Sequence, residues 1–247
     1  MTIPLLLIHG AESDRNQFAD LLPALAPDIR PIVYDQRDTG PSEHVGGAYD
    51  LDDLADDAAV LLAGLGVPSA HVLGTSFGGA VAQHLALRHP RLVSSLTLVA
   101  TTASHASVTA FATRVAGLSD SARSAFMLDS ALTPAVRAAD PAIVQRAAAA
   151  LAVRTPAQSE RRMRALRTHD LLARLGEITA PTLVLHGTDD PIVPFGDAVA
   201  LAEGIPGAVL RGYDGGRHGL AFEFRDRLAS DVSEFVRSVA VDPSSAR

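Results

Sequence analysis

No cysteine occurs in the 247 residues. That excludes disulfides, thiolate nucleophiles and Cys-ligated zinc or iron–sulfur centres. Lysine is absent as well. All 21 basic residues are arginine, a composition bias from which no function follows. There is no excess of positive charge either, and a formal net charge of −7 argues against nucleic acid as the main partner. No segment holds 18 apolar residues in a row. The opening run TIPLLLIHG is too short to span a bilayer and lacks the basic flank and small-residue cleavage site of a secretory signal. The expectation is a soluble, cytoplasmic chain with no membrane partner. No internal repeat or low-complexity linker stands out beyond the alanine-rich 147–152.

What is present is a large apolar fraction, 47% of the residues, enough to bury a sizeable core in one large α/β domain or two small ones. Short apolar runs alternate with helical periodicity. Strands are predicted at Ile3–His9, Ile29–Asp35, Ala70–Gly74, Val93–Thr101, Thr182–His186 and Ala208–Gly212. Helices are predicted near Asn16–Ala26 and over Leu51–Leu65, Gly78–His89 and Leu220–Val239, with Asp242–Arg247 as a frayed tail. Asp50, Asp52, Asp53, Asp56 and Asp57 crowd one helix start, where carboxylates complement the helix dipole; no metal site is expected. The alternation implies an α/β fold whose mostly parallel sheet is covered by helices on both faces. Residues 103–174 interrupt it with helical runs at Ser107–Gly117, Ser121–Leu132, Pro141–Val153 and Ala157–Leu172 and no convincing strand. Two parts are therefore expected: a core of 1–102 and 175–247, and a helical insertion of 103–174.

The chemistry concentrates at strand ends. Gly74-Thr75-Ser76-Phe77-Gly78 joins a predicted strand to a predicted helix. Glycine weakens both elements, so its presence on both sides of a serine needs a reason. A tight strand–helix turn in which flanking side chains would collide supplies one, and it leaves Ser76 Oγ exposed at a helix N-terminus. A serine hydroxyl is a poor nucleophile without a base that a third group orients. Asp189-Asp190 follows the strand Thr182–His186, and His218 sits in the glycine-rich loop Gly215–Gly219 after Ala208–Gly212. The order Ser, Asp, His is the one expected for this elbow.

From residue 3 to about 238 the chain resembles the α/β-hydrolase fold family. His9-Gly10-Ala11 matches its HG-x oxyanion loop, Asp35 through Ser42 its D-x-R-G-x-G-x-S stretch, and Gly187 through Pro194 its G-x-x-D-x-x-x-P stretch. The resemblance implies nucleophile Ser76, acid Asp190, base His218 and an oxyanion hole formed by the Phe77 and Ala11 N–H groups. It implies that the insertion is a cap over the site, and that no cofactor or metal takes part. A serine nucleophile argues against dehalogenase and epoxide hydrolase chemistry, which needs a carboxylate there. Asp38 replaces the usual glycine, an RDTG variant similar to the anthracycline methylesterases of the family. The chain starts near the family's third strand, so Ile29–Asp35 is expected at a sheet edge, where Pro31 is tolerated.

The expected activity is hydrolysis of a small, largely apolar carboxylic ester or lactone through an acyl-enzyme. Rivals on the same fold are a C–C bond hydrolase, a lyase or isomerase, and a binding protein that uses the cleft as a receptor. Oligomeric state does not follow from the sequence. His105, Phe111, Phe126 and Met127 are candidate substrate contacts. The segment 103–169 carries nine arginines against four acids. Most suit a solvated face, Arg161 and Arg164 among them, whereas Arg162 borders the apolar stripe and is a candidate for recognising an anionic substrate group.

Overall fold

The computed structural model describes residues 2–42 and 47–241; the tail Asp242–Arg247 lies outside them. Six strands, β1 (Ile3–Ile8), β2 (Ile29–Val33), β3 (Ala70–Thr75), β4 (Val93–Val99), β5 (Thr182–Gly187) and β6 (Val209–Tyr213), form one sheet in the order β2-β1-β3-β4-β5-β6. Every neighbouring pair is parallel. The sheet is therefore buried on both faces and its strands read as continuous apolar runs. Along β1, Leu6 and Ile8 enter one core cluster while Leu5 and Leu7 enter the other. Each such side chain, removed from water, contributes roughly 1.5–3 kcal/mol. β2 is an edge strand and carries Pro31, which has no N–H to donate to a further neighbour.

Helices α1 (Leu51–Gly64) and α2 (Phe77–Arg88) cover one face. Asp50 caps α1 through a reciprocal hydrogen bond with Asp53, and the other aspartates of its first two turns have cationic or imidazole partners. Asp57 binds Arg37, and Asp52 and Asp56 bind Arg88, His84 and His89. Between β4 and β5 the described residues hold five helices and no strand: α3 (Thr109–Ala116), α4 (Asp120–Ala131), α5 (Pro134–Ala139), α6 (Pro141–Ala149) and α7 (Pro156–Leu166). Helix α8 (Phe195–Gly204) follows β5, and α9 (Leu220–Glu223) and α10 (Arg225–Val241) close the described chain. No helix among the described residues is long and apolar enough to cross a membrane.

Several expected elements differ. The helix expected near Asn16–Ala26 is instead two short 3-10 turns, Arg15–Phe18 and Leu22–Ala24, because Pro23 cannot sit inside an α-helix. The C-terminal helix breaks at Phe224. Helices α5 and α8 were not foreseen, and α7 ends at Leu166, short of the expected Leu172.

Asp38 explains the RDTG departure. Its φ is +59°, the conformation that glycine adopts without strain and that Asp tolerates better than most residues. Its buried carboxylate takes a bidentate pair from Arg161 Nε and Nη2 at 2.9 and 2.7 Å and a hydrogen bond from Tyr49 Oη at 2.9 Å. Arg161 thus leaves the solvated face it was assigned to and ties α7 to the core. Arg154 adds bonds to the carbonyls of Asp38 and Ser13.

The sheet–helix contact at α2 sets a steric limit. A β-carbon on Gly78 would lie 2.0 Å from the Ile8 carbonyl oxygen, while one on Gly64 at the end of α1 would meet nothing within 4 Å. Gly78→Ala should destabilise the fold by about 1–3 kcal/mol or more. Gly64→Ala should stabilise it by about 0.5–1 kcal/mol. Urea unfolding midpoints check both signs.

Candidate active site

Ser76 stands between β3 and α2 with φ +53° and ψ −119°, outside the ordinary basins. A residue so placed stores about 1–3 kcal/mol of strain and needs surroundings that over-determine it. They do. Ser76 N–H donates to Val99 O at 2.9 Å, and its carbonyl accepts from Gly79 N and from Thr101 Oγ1 at 2.8 and 2.7 Å. A β-carbon on Gly74 would lie 2.3 Å from Gly78 O, and one on Gly79 would lie 2.6 Å from the Thr101 side chain. The glycines flanking Ser76 are therefore required by close backbone approach, and Gly79 adds a third requirement that the pentad did not signal.

Asp190 and His218 meet at the ends of β5 and β6. Asp190 Oδ1 accepts the Ile192 and Val193 N–H groups at 2.8 and 3.0 Å, which leaves Oδ2 for His218 Nδ1 at 2.7 Å. With Nδ1 donating, His218 Nε2 is the nitrogen left to accept a proton. Burial opposes ionisation of Asp190. The positive field and hydrogen bonds of His218 and His186 outweigh it and hold the carboxyl well below the usual carboxylate range. His186 Nε2 lies 3.4 Å from Asp190 Oδ2 and 3.0 Å from Val193 O. Asp189, in contrast, is exposed and accepts only from its neighbour Thr188. The histidine loop is held from both sides. Gly187 allows the close approach of Gly216 O, 2.2 Å from where a β-carbon would be. From the insertion, the Ser130 and Ala131 carbonyls accept the His218 and Gly219 N–H groups at 3.1 and 3.0 Å. Among the described residues no hydrogen bond joins Ser76 Oγ to His218, a link that is commonly long without substrate.

Nearly every polar group of the His9-Gly10-Ala11 loop is occupied. Gly10 N–H donates to Gln17 Oε1 at 2.8 Å, and Gln36 Nε2 donates to His9 O at 2.8 Å. His9 Nδ1 donates to Gly10 O at 2.9 Å, and its Nε2 faces the Gln36 N–H at 3.3 Å. Both roles require a neutral ring, and burial, reinforced by nearby Arg162, lowers the His9 pKa well below its ordinary value. Neither Ala11 N–H nor Phe77 N–H has a protein acceptor among the described residues. These are the two donors that the resemblance assigns to an oxyanion.

Ser76, Phe77 and Ala11 line a pocket that is partly open to solvent. Its other walls are Ala80, Thr101, Thr102, Val108, Phe111, Met163, Leu166, Ile192 and Val193, so it is apolar apart from three hydroxyls. Phe111 is the one expected substrate contact on that wall. Phe126 lies behind it, stacked on Phe111 at 6.0 Å, and Met127 packs with Phe111 against Val108, Ile192 and Val193. His105 is also off the wall, its N–H bound to His169 O at 2.7 Å. Arg162 does point inward, but not into the pocket. It is almost fully buried, and its donors face the carbonyls of Ala11, Arg37 and Gly10 at 3.2, 3.1 and 3.4 Å. It is not among the residues of the pocket wall. Ile192 and Val193 follow Asp190 within the same loop, so that motif carried the signal for them. Met163 and Leu166 belong to the apolar stripe that Arg162 borders, and Gln17 and Gln36 gave no signal.

The family profile for the alpha/beta hydrolase fold matches residues 3–224. The chain belongs to that family. It is 34% identical over 206 residues to the "Putative carbamate hydrolase RutD" of Stutzerimonas stutzeri strain A1501, covering 80% of this chain and 77% of that protein. It is 30% identical over 252 residues to the 2-hydroxymuconate semialdehyde hydrolase of Pseudomonas sp. strain CF600, covering 94% and 86%. A solved hydrolase from Pseudomonas aeruginosa PA01 superposes with a TM-score of 0.86 at 30% identity, covering 95% of this chain and 90% of that one. These relatives support a hydrolase on this fold.

Asp190→Asn should lower kcat by about three to four orders of magnitude by forcing the wrong tautomer on His218, and Asp189→Asn should change it less than about twofold. Because the folded carboxyl of Asp190 titrates below the unfolded value of about 3.9, its stabilising contribution is complete above that pH and is lost as pH falls toward the folded value. Steady-state kinetics and acid unfolding of the two variants check both statements.

Proposed function

We propose that the chain is a serine hydrolase that cleaves a small carboxylic ester or lactone through an acyl-enzyme, with Ser76 as nucleophile, His218 as base and Asp190 as the group that orients it. One observation carries this reading. The Asp190–His218 pair and the strained Ser76 turn occupy the same end of a parallel sheet, and Ser76 opens on an apolar pocket beside two unpaired N–H groups.

In this mechanism His218 Nε2 takes the Ser76 proton as Oγ attacks the carbonyl carbon. The oxyanion receives the Phe77 and Ala11 N–H groups, each contributing about 3 kcal/mol. Collapse breaks the acyl C–O bond, and His218 returns its proton to the leaving alkoxide, which in a lactone remains on the acyl chain. His218 then removes a proton from water, the hydroxide attacks the acyl carbon, and Ser76 recovers its proton as the acid leaves. No cofactor or metal is needed for any of these steps. Residues 103–174 act as a cap over the core formed by 1–102 and 175–247, contributing Val108, Phe111, Met163 and Leu166 to the wall. The apolar wall favours a largely apolar acyl group.

A second reading keeps Ser76 and changes the bond, since relatives are named for a carbamate and for a semialdehyde. The apolar wall favours an ester or lactone over a small free carbamate. Product analysis separates the two readings.

Ser76→Ala should abolish turnover of a chromogenic short-chain ester, a loss of at least about 10³-fold, without lowering the unfolding temperature. An organophosphonate should label Ser76 alone. Retained turnover, or ligand binding with no turnover by the wild type, removes the assignment.

A further inference from the structure

We infer that Arg162 is a positioning residue of the oxyanion hole, a buried cation on helix α7 that holds and polarises the Gly10–Ala11 peptide; this rests on the proposed serine mechanism. The oxyanion donor assigned to Ala11 belongs to the peptide unit whose carbonyl is Gly10 O. In a trans peptide the C=O and N–H point in opposite directions. Gly10 O accepts from His9 Nδ1 at 2.9 Å and faces Arg162 Nη2 at 3.4 Å. Fixing that carbonyl toward the protein interior turns the Ala11 N–H the other way, and Ala11 is on the pocket wall. Arg162 Nε binds the next carbonyl, Ala11 O, at 3.2 Å, so one planar guanidinium grips both ends of the residue that supplies the donor.

The same side chain reaches the second donor. Its guanidinium carbon lies 4.4 Å from the centroid of the Phe77 ring, so it packs against the residue whose N–H completes the hole. Its third bond, Nη1 to Arg37 O at 3.1 Å, joins this pair to the loop that carries Asp38. Burial and the field of Arg154 lower the Arg162 pKa to about 10, so the group is still cationic at neutral pH.

A cation behind the carbonyl has a directional effect. Hydrogen bonds in series polarise one another, and a donor to Gly10 O draws electron density from the peptide and strengthens its N–H as a donor. The positive charge also lies behind the donor peptide, across it from the position where negative charge develops during attack, in a buried setting where such a field is weakly screened. Both effects act on the transition state more than on the bound ester. They predict a loss in kcat with little change in KM.

The test measures Arg162→Met and Arg162→Lys on a chromogenic ester, with active sites counted by organophosphonate titration. Per titrated site, Arg162→Met should lower kcat by about 10-fold or more with KM changed less than about twofold. The affinity for a boronic acid, which mimics the tetrahedral adduct, should fall by a similar factor, while affinity for the product acid stays near that of the wild type. Arg162→Lys keeps the charge but gathers its donors on one nitrogen in place of the planar fork, so its kcat should be intermediate; it also serves if the methionine variant does not fold. Unchanged kcat per titrated site in the lysine variant and, where it folds, the methionine variant overturns the inference. So does a loss confined to the number of titratable sites, because that is what a purely structural arginine would give. Failure of the wild type to react with the phosphonate at Ser76 would instead overturn the serine mechanism.

Discussion

The backbone of Gly78 runs so close to β1 that a β-carbon there would overlap the Ile8 carbonyl, and much of the site depends on that contact. It lets the first turn of α2 press onto the C-terminal ends of β1 and β3. Ser76 must then make its turn in one residue, at φ +53°. Thr101 and Val99 from β4 and its following loop close around the turn and hold the strained conformation. The same contact puts the start of α2 beside the loop that leaves β1, so that Phe77 and Ala11 line one pocket. The C-terminal end of the sheet, a helix start and a loop are thereby brought to a single point.

The insertion is fastened to that point by arginines as well as by apolar contacts, such as Phe111, Met127 and Leu166 against Ile192 and Val193. Arg161 pairs with Asp38, Arg154 holds the Asp38 and Ser13 carbonyls, and Arg162 fills the space behind the oxyanion loop. From the other side, the carbonyls at the end of α4 hold the His218 loop. Arg162 and the end of α4 join helices of the insertion to the loops that carry Ala11 and His218. Arginine suits this task, because its planar guanidinium presents five donors in a fixed fork, whereas lysine gathers three on one rotating ammonium.

The strands and the site loops were legible because their signals are local. Ile3–Ile8 is a continuous apolar run, Gly74 and Gly78 bracket Ser76, and Gly187 sits before Asp190 where Gly216 O passes. Arg162 was legible only in part. The helical stripe placed it near the interior, but whether it would meet a substrate or backbone carbonyls depends on the docking of α7, and no local pattern encodes that. Arg161 was misread for the same reason: on helical periodicity it belongs to the solvated face, and its partner Asp38 lies 123 residues away. Asp38 itself stood out as a departure from a glycine. The positive φ and the buried ion pair that explain it emerge only when two distant segments are seen together. Helix α5 is a six-residue element too short to show a period, and Pro23 shows how a helical stripe can be overruled by a single residue.

The direct measurement is rapid-quench mass spectrometry of the wild-type protein during turnover of a slow ester. A transient species heavier by the acyl group less one proton, mapped by peptide digestion to the segment that contains Ser76, is the expected result. An acyl adduct on another residue, or product released at steady state with no adduct while deacylation is rate-limiting, would contradict the serine acyl-enzyme mechanism.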